Sequence, residues 1–412
     1  MQVIEKIKKG ITNLDNIFLI IILLGFFIRI YLSFLPGFKF DIGTWFAWAI
    51  RLNEVGLSQF YSDQIWTNYT PGYLYILKIL GFLKNLLKFP DQIFYLILKL
   101  PAIFSEIILG YFIYCLVRKN YSIFTARFSA ALVLLNPAFI FNSAVWGQID
   151  GLLTLFMLLT IYYLNKKRSI LSSIFLGLAF LIKPQAIAIL PVVVLILIKK
   201  FSVTNLLKLS LPTILIVFLL SLPFFVSTPI RGILELILKM ISDYSYTSAF
   251  AYNLWGIVGF WISDSDQWFS FSYQSFGLIL LGIFWLIVLF THKGLSIYSL
   301  AALATLSFFF LPTRVHERYL YPALIFLILC LPQIKSKIFL VALIVLNLIH
   351  LLNLYHVYVY YNELYLNSAK ILYNAILYSL LEAQTKILSL ISTILFVIIT
   401  FYIIKNKDVS KN

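Results

Sequence analysis

Asp41 closes the first long apolar run and opens the stretch FDIGTWFAWAIRLNEVGLSQFYSDQIWTNYTPGYLY (40–75), the first long departure from apolar monotony. A carboxylate beside an apolar cavity can act as a general base, because partial desolvation raises its basicity while a nearby cation can keep it ionised. It can equally be a helix N-cap, since 42–55 carries Trp45, Trp48, Ala49 and Leu52 on one face and begins just after it. If it is only a cap, the base is to be sought at Asp63, Asp150 or Glu317.

A second cluster, Arg314, His316, Glu317 and Arg318, puts ionisable side chains at the mouth of an apolar run. Such density next to lipid calls for an anionic partner. Phosphate fits: Arg314 and Arg318 are four apart, on one face if helical, and His316 adds a third hydrogen bond. The alternative is an internal ion-pair network through Glu317. In Trp146-Gly-Gln-Ile-Asp150, Gln148 and Asp150 could read sugar hydroxyls while Trp146 stacks on a pyranose, or the same residues could cap a helix within an aromatic belt. Tyr69 and Lys183 stand in two further polar breaks, Asn68-Tyr-Thr-Pro71 and Lys183-Pro-Gln185.

Other polar residues read more plainly. Glu106 lies inside an apolar run, so it must face the interior and pair with Lys99 or another cation. Asp264 and Asp266 read as a solvated turn. The aromatic segment 355–365, YHVYVYYNELY, directly follows a span and reads as an interfacial tyrosine belt more readily than as a sugar-stacking wall. His292, His350 and His356 are isolated and Cys115 and Cys330 lack partners, so no dedicated metal site is expected. A divalent cation is compatible with the chemistry but not required by it.

What must position these residues is a membrane bundle. Hydrophobic residues make up 62% of the 412 positions and charged ones 12%, and mean hydropathy is +0.96. That composition excludes a soluble fold. The net charge of +16 sits mostly at the ends of apolar runs, as orientation signals do, so nucleic acid is not a partner and membrane lipid is. Twelve spans are expected, at 16–35, 93–117, 123–142, 149–165, 169–184, 185–198, 207–227, 273–291, 295–312, 318–333, 337–356 and 387–404. Segment 71–89 carries Lys78, Lys84 and Lys88 and is expected to lie in the interface as an amphipathic helix.

With Lys6, Lys8 and Lys9 inside, that arrangement puts both termini and the basic connections, including Lys199–Lys200, in the cytoplasm. The polar clusters then gather outside, on a first catalytic loop at 36–92 and loops at 228–272 and 357–386. The expected fold is therefore all-α: one polytopic membrane-embedded domain over 1–412. No GxGxxG or GxxxxGK[ST] motif is present, so an activated donor has to arrive in the membrane.

These residues together resemble the GT-C glycosyltransferases, in particular bacterial mannosyltransferases related to the second mannosyltransferase of GPI-anchor assembly and the dolichyl-phosphate-glucose glucosyltransferases. The resemblance rests on Phe40-Asp-Ile with Trp45 and Trp48, Asn68-Tyr-Thr-Pro-Gly-Tyr73, Asn136-Pro to Asp150, and Val315-His-Glu-Arg318. It implies a hexosyltransferase that takes mannose, or another hexose, from a polyprenyl-phosphate sugar. The acceptor it implies is a glycolipid or other cell-envelope molecule. Asp41 falls on the family's catalytic aspartate, and His316, Glu317 and Arg318 on its donor motif. Where relatives often have Asp-Tyr-Pro-Pro this chain has Asn68-Tyr-Thr-Pro71, so a second acidic residue is missing there. A transporter or lipid flippase is the rival class; it would show internal repeats and charges on both sides of the midplane.

Overall fold

Short polar linkers ending in serine start many of the helices. Ser122, Ser202, Ser272, Ser296 and Ser336 each accept a hydrogen bond from the backbone N–H three residues on, satisfying one donor that a helix start leaves free. The computed structural model describes residues 15–62, 65–199 and 202–406; Lys6, Lys8, Lys9, Asp63 and Lys200 lie outside these.

Each of the twelve expected spans falls on a helix. Among the described residues, eight helices are long and apolar enough to cross a membrane: Asn16–Ser33, Asp91–Arg118, Ile123–Trp146, Val203–Ser221, Tyr273–Thr291, Glu317–Ile334, Lys337–Tyr365 and Thr385–Lys405. The shorter apolar helices Asp150–Asn165, Ser169–Ile182, Pro184–Ile198 and Ile297–Phe310 take the other four places. Among the described residues the only sheet is two pairs of two-residue strands, so the fold is all-α and polytopic.

The stretch read as a catalytic loop is mostly helical. Lys39–Glu54 and Pro71–Leu87 are helices that cross at Gly81, where a Cβ would sit 2.3 Å from the Ala49 carbonyl oxygen. Asn53 fastens the same crossing by donating to the Lys78 carbonyl at 3.2 Å. The apolar run 169–198 is broken at Lys183, whose backbone is extended and which precedes Pro184. That break turns the Lys183 side chain into the bundle, where it is buried.

Charge inside the bundle is paired. Arg29 and Glu106 are both fully buried and meet at 2.7 Å, and Glu106 also accepts from Ser143 at 2.6 Å and Tyr321 at 2.9 Å. Arg29 further donates to the backbone carbonyls of Gly25 and Leu134. One carboxylate thus fastens the Asn16–Ser33, Asp91–Arg118, Ile123–Trp146 and Glu317–Ile334 helices together. Glu106 was expected to face the interior and pair with Lys99 or another cation, and Arg29 is that cation; Lys99 donates to the carbonyls of Ser33, Leu35 and Ala144. An ammonium can satisfy its three donors on helix-end carbonyls, so Glu106 is left to the guanidinium.

Removing one member of this pair leaves a buried charge unpaired. Glu106→Leu should cost about 3–5 kcal/mol, read as a lower midpoint of thermal unfolding in detergent. The double variant Arg29→Met/Glu106→Leu should be more stable than Glu106→Leu alone.

Candidate active site

Asp41 is the third residue of the Lys39–Glu54 helix and does not cap it; the N-cap is Phe38, which makes no side-chain cap bond. The cap reading therefore fails. Asp41 Oδ2 accepts from Trp146 Nε1 and from Gln148 Nε2, each at 2.7 Å. Arg318 Nη1 lies 3.6 Å from the same oxygen. Among the described residues no hydrogen bond reaches Oδ1, and the side chain keeps 21% of its surface exposed. Phe38 holds the helix start in place: its N–H donates to the Trp146 carbonyl at 2.9 Å and its ring stacks on Trp146 at 4.2 Å.

Trp146 ends a π-helical turn, Phe141–Trp146, and Gly147 at φ 94 reverses the chain. That reversal sends Gln148 back toward Asp41. The orientation of Gln148 is forced by its neighbours. Lys183 Nζ donates to Gln148 Oε1 at 2.8 Å and to Asp150 Oδ1 at 2.7 Å. With its oxygen facing an ammonium, Gln148 can only turn N–H toward Asp41. Asp150 begins the Asp150–Asn165 helix without capping it, so the capping alternative fails for Asp150 as well. Tyr69 donates to Gln148 Oε1 at 3.4 Å, and burial, followed by the Asp41 charge, raises its phenol pKa, so it stays a donor.

The Arg314–Arg318 segment is not helical over the residues that were to share a face. Val315–His316 is a strand paired in parallel with Ser248–Ala249, and Glu317–Leu320 is a 3-10 turn. The two guanidiniums therefore do not form one fork. Arg314, in the left-handed region at φ 64, is gripped by Asp264 at 2.6 and 3.2 Å and donates to the Ile241 carbonyl at 2.8 Å. Asp264 is buried and also accepts from Thr313, so it is no solvated turn. Arg318 donates to Glu317 Oε1 at 2.8 Å and lies 5.0 Å over the Trp146 ring, while its Nε is buried with no partner among the described residues. His316 packs edge-on against Tyr244 at 4.6 Å. Burial, with Arg318 and Lys183 adding to it, holds the His316 pKa well below the usual imidazole range, so the ring is neutral.

Asp41, Lys183, Arg314, His316, Glu317 and Arg318 line one cavity of about 620 Å³, together with Trp45, Trp48, Trp66, Tyr69 and Trp261. Trp146, Gln148 and Asp150 stand behind them. An apolar groove of about 590 Å³ between the Pro184–Ile198, Tyr273–Thr291 and Ile297–Phe310 helices shares Ile187, Phe308 and Pro312 with this cavity. Among the described residues no three His, Cys, Asp or Glu side chains gather as a metal site. The arrangement offers a carboxylate with one unbonded oxygen, cations and neutral donors beside it, and aromatic walls, with lipid-like surface alongside. Residues 87–228 match the family model for dolichyl-phosphate-mannose-protein mannosyltransferase. This match, to a membrane glycosyltransferase family of the GT-C type, contains Trp146, Gln148, Asp150 and Lys183, whereas Asp41 and the 314–318 segment lie outside it. No curated protein sequence matches the chain. The chain is an integral multi-pass membrane protein, and its residues 87–228 are similar to that family.

Asp264, read as a solvated turn, and the 244–261 segment, read only as part of the external loop 228–272, were not assigned to the site from sequence, yet the segment supplies Tyr244 and Trp261 to the cavity. Only the concentration of aromatics there hinted at it.

A neutral, half-buried His316 means the unfolded chain binds more protons than the folded one below about pH 6.5. Stability should therefore fall as pH drops from about 7 to about 5. His316→Asn should flatten that slope in unfolding midpoints measured across the range.

Proposed function

We propose that the protein transfers a hexose, mannose by the family match, from a polyprenyl-phosphate donor to a hydroxyl acceptor by one inverting displacement at the non-cytoplasmic face. The observation that carries this reading is Asp41 in the cavity wall, with Oδ2 held by two N–H donors and Oδ1 carrying no hydrogen bond among the described residues. A hydroxyl has a pKa far above neutral, so its attack on the anomeric carbon is helped by a carboxylate that takes the proton as the new C–O bond forms. The old C–O bond breaks with its electron pair leaving on the lipid phosphate. That leaving group is already a stable anion, so no general acid is needed, in contrast to hydrolases with a paired acid and base.

Arg318 and His316 are the donors assigned to that phosphate. The unpartnered Nε of Arg318 offers an N–H from a guanidinium already paired with Glu317, and the neutral imidazole of His316 offers one without adding a further cation beside Lys183. Arg314, gripped by Asp264, holds the 241–264 segment against the cavity. The apolar groove suits the polyprenyl chain. A chain drawn from a bilayer gains little by entering another apolar surface, so the groove serves to align the donor rather than to bind it tightly. The positive-inside count supports the external site, and the acceptor class is a lipid-linked or cell-envelope glycan.

Asp41→Asn should leave donor binding near normal and lower turnover by ~10²–10⁴ in purified enzyme given radiolabelled polyprenyl-phosphate mannose. Near-normal turnover would sink the assignment of the base. Arg318→Ala should weaken donor binding by about 2–5 kcal/mol, measured with the same donor in a folded variant.

The groove gives an independent check. A Cβ added at Gly282, in the groove wall, meets nothing within 4 Å, so Gly282→Phe should enter the groove without distorting the helix. It should lower kcat/KM about tenfold for a long-chain donor while sparing a two-isoprene donor. Equal loss for both donors would detach the groove from the lipid chain.

A further inference from the structure

The aromatic segment that closes the long Lys337–Tyr365 helix is joined to the site. Tyr361, Phe40 and Phe250 all line the cavity that holds Asp41. Their rings meet, Phe40 with Tyr361 at 5.6 Å and 85°, and Phe250 with Tyr361 at 5.8 Å and 88°. Tyr365 continues the row outward, 6.2 Å from Tyr361 and 6.4 Å from Phe40. Exposure rises along it, from half-buried Tyr361 to Phe40 at 45% and Tyr365 at 68%. The row leads from the neighbour of the base to open surface.

It is also held in place. Tyr361 lies in the π-helical turn Val359–Tyr365, and π turns are uncommon and concentrate at functional sites. Asn362, buried in that turn, donates to the Gly37 carbonyl and accepts from the Lys39 N–H, both at 2.9 Å. Both bonds land on the chain immediately before Asp41, so they fix Tyr361 against Phe40. A lipid-interface belt needs no such connection, and its rings would not share a cavity with the base.

A row of rings with phenol hydroxyls at their edges presents π faces to C–H groups and polar tips to hydroxyls, the mixture that a sugar ring offers in return. An extended peptide would instead need backbone donors and acceptors along its path. Resting on the glycosyltransferase reading, we infer that Phe40, Tyr361 and Tyr365 form the acceptor subsite and that the acceptor presents a sugar ring, so that the attacking nucleophile is a glycan hydroxyl. The family matched over 87–228 is named for protein acceptors; this row fits another class.

Binding can be measured without turnover. Full-length protein in nanodiscs, with mannotriose as the probe, should give saturation-transfer NMR signals on the sugar C–H protons. Tyr365→Ala, at an exposed position, should weaken that binding roughly five- to tenfold, and Tyr361→Phe should retain it. Asp41→Asn should leave it in place. No transfer to mannotriose, or transfer unchanged by Tyr365→Ala together with Tyr361→Ala, overturns the subsite. Donor consumption without mannotriose binding would sink the subsite and leave the transferase reading standing. Mannotriose binding that these variants weaken, without donor consumption, would support the subsite and sink the transferase reading.

Discussion

A lysine ammonium cannot remain alone inside an apolar bundle, and the site follows from how Lys183 is satisfied. Asp150 supplies the counter-charge and Gln148 a neutral acceptor, both within 2.8 Å. Fixing the oxygen of Gln148 fixes its amide N–H groups, and those hold Asp41. Asp41 is therefore oriented by a charge that never touches it. Arg29 and Glu106 play the same part deeper in the bundle, with backbone carbonyls and hydroxyls filling the remaining valences. In both places a buried charge is tolerable only because every neighbour is placed to answer it.

The same economy of charge shapes the cavity wall around Arg318. Arg318 is shared between Glu317, the Trp146 face and the approach to Asp41, while His316 is kept neutral. Asp41 and Glu317, the guanidiniums of Arg314 and Arg318 and the Lys183 ammonium line the cavity, and Asp264 and Asp150 behind them answer Arg314 and Lys183, so no large net charge builds up. An incoming anion would meet directed N–H groups and would not have to displace a tightly bound counter-ion. Arg314, by contrast, is fully committed to Asp264 and Ile241, which places it in the architecture of the wall.

Legibility in the sequence followed the range of the interactions. Apolar runs, their charged ends and the polar breaks between them are local, and every expected span became a helix. Asp41, Trp146, Gln148, Asp150 and Lys183 were each visible as polar residues at span ends, and the bundle gathers them. The failures are all long-range. Glu106 has a buried cation as expected, but that it is Arg29 could not be read, because helix rotation decides partners and one apolar run conceals which side its single arginine faces. Arg314 left the expected helix face because 315–316 pairs with 248–249, a contact no periodicity announces. Asp264 lies 50 residues from Arg314 and looked like a turn for the same reason.

The Asn362 bridge to Gly37 and Lys39 spans more than 320 residues of chain. Synthesis proceeds from the N-terminus, so Asp41 leaves the ribosome long before the residues that confine it. The segment around Asp41 can be inserted and folded early as local helices, but Arg318 and Tyr361 arrive only with the last quarter of the chain. A nascent or interrupted chain thus carries the Asp41 carboxylate with half a cavity. The cavity exists only once the bundle is built to its end, because Arg318, Tyr361 and the Asn362 bridge close it last.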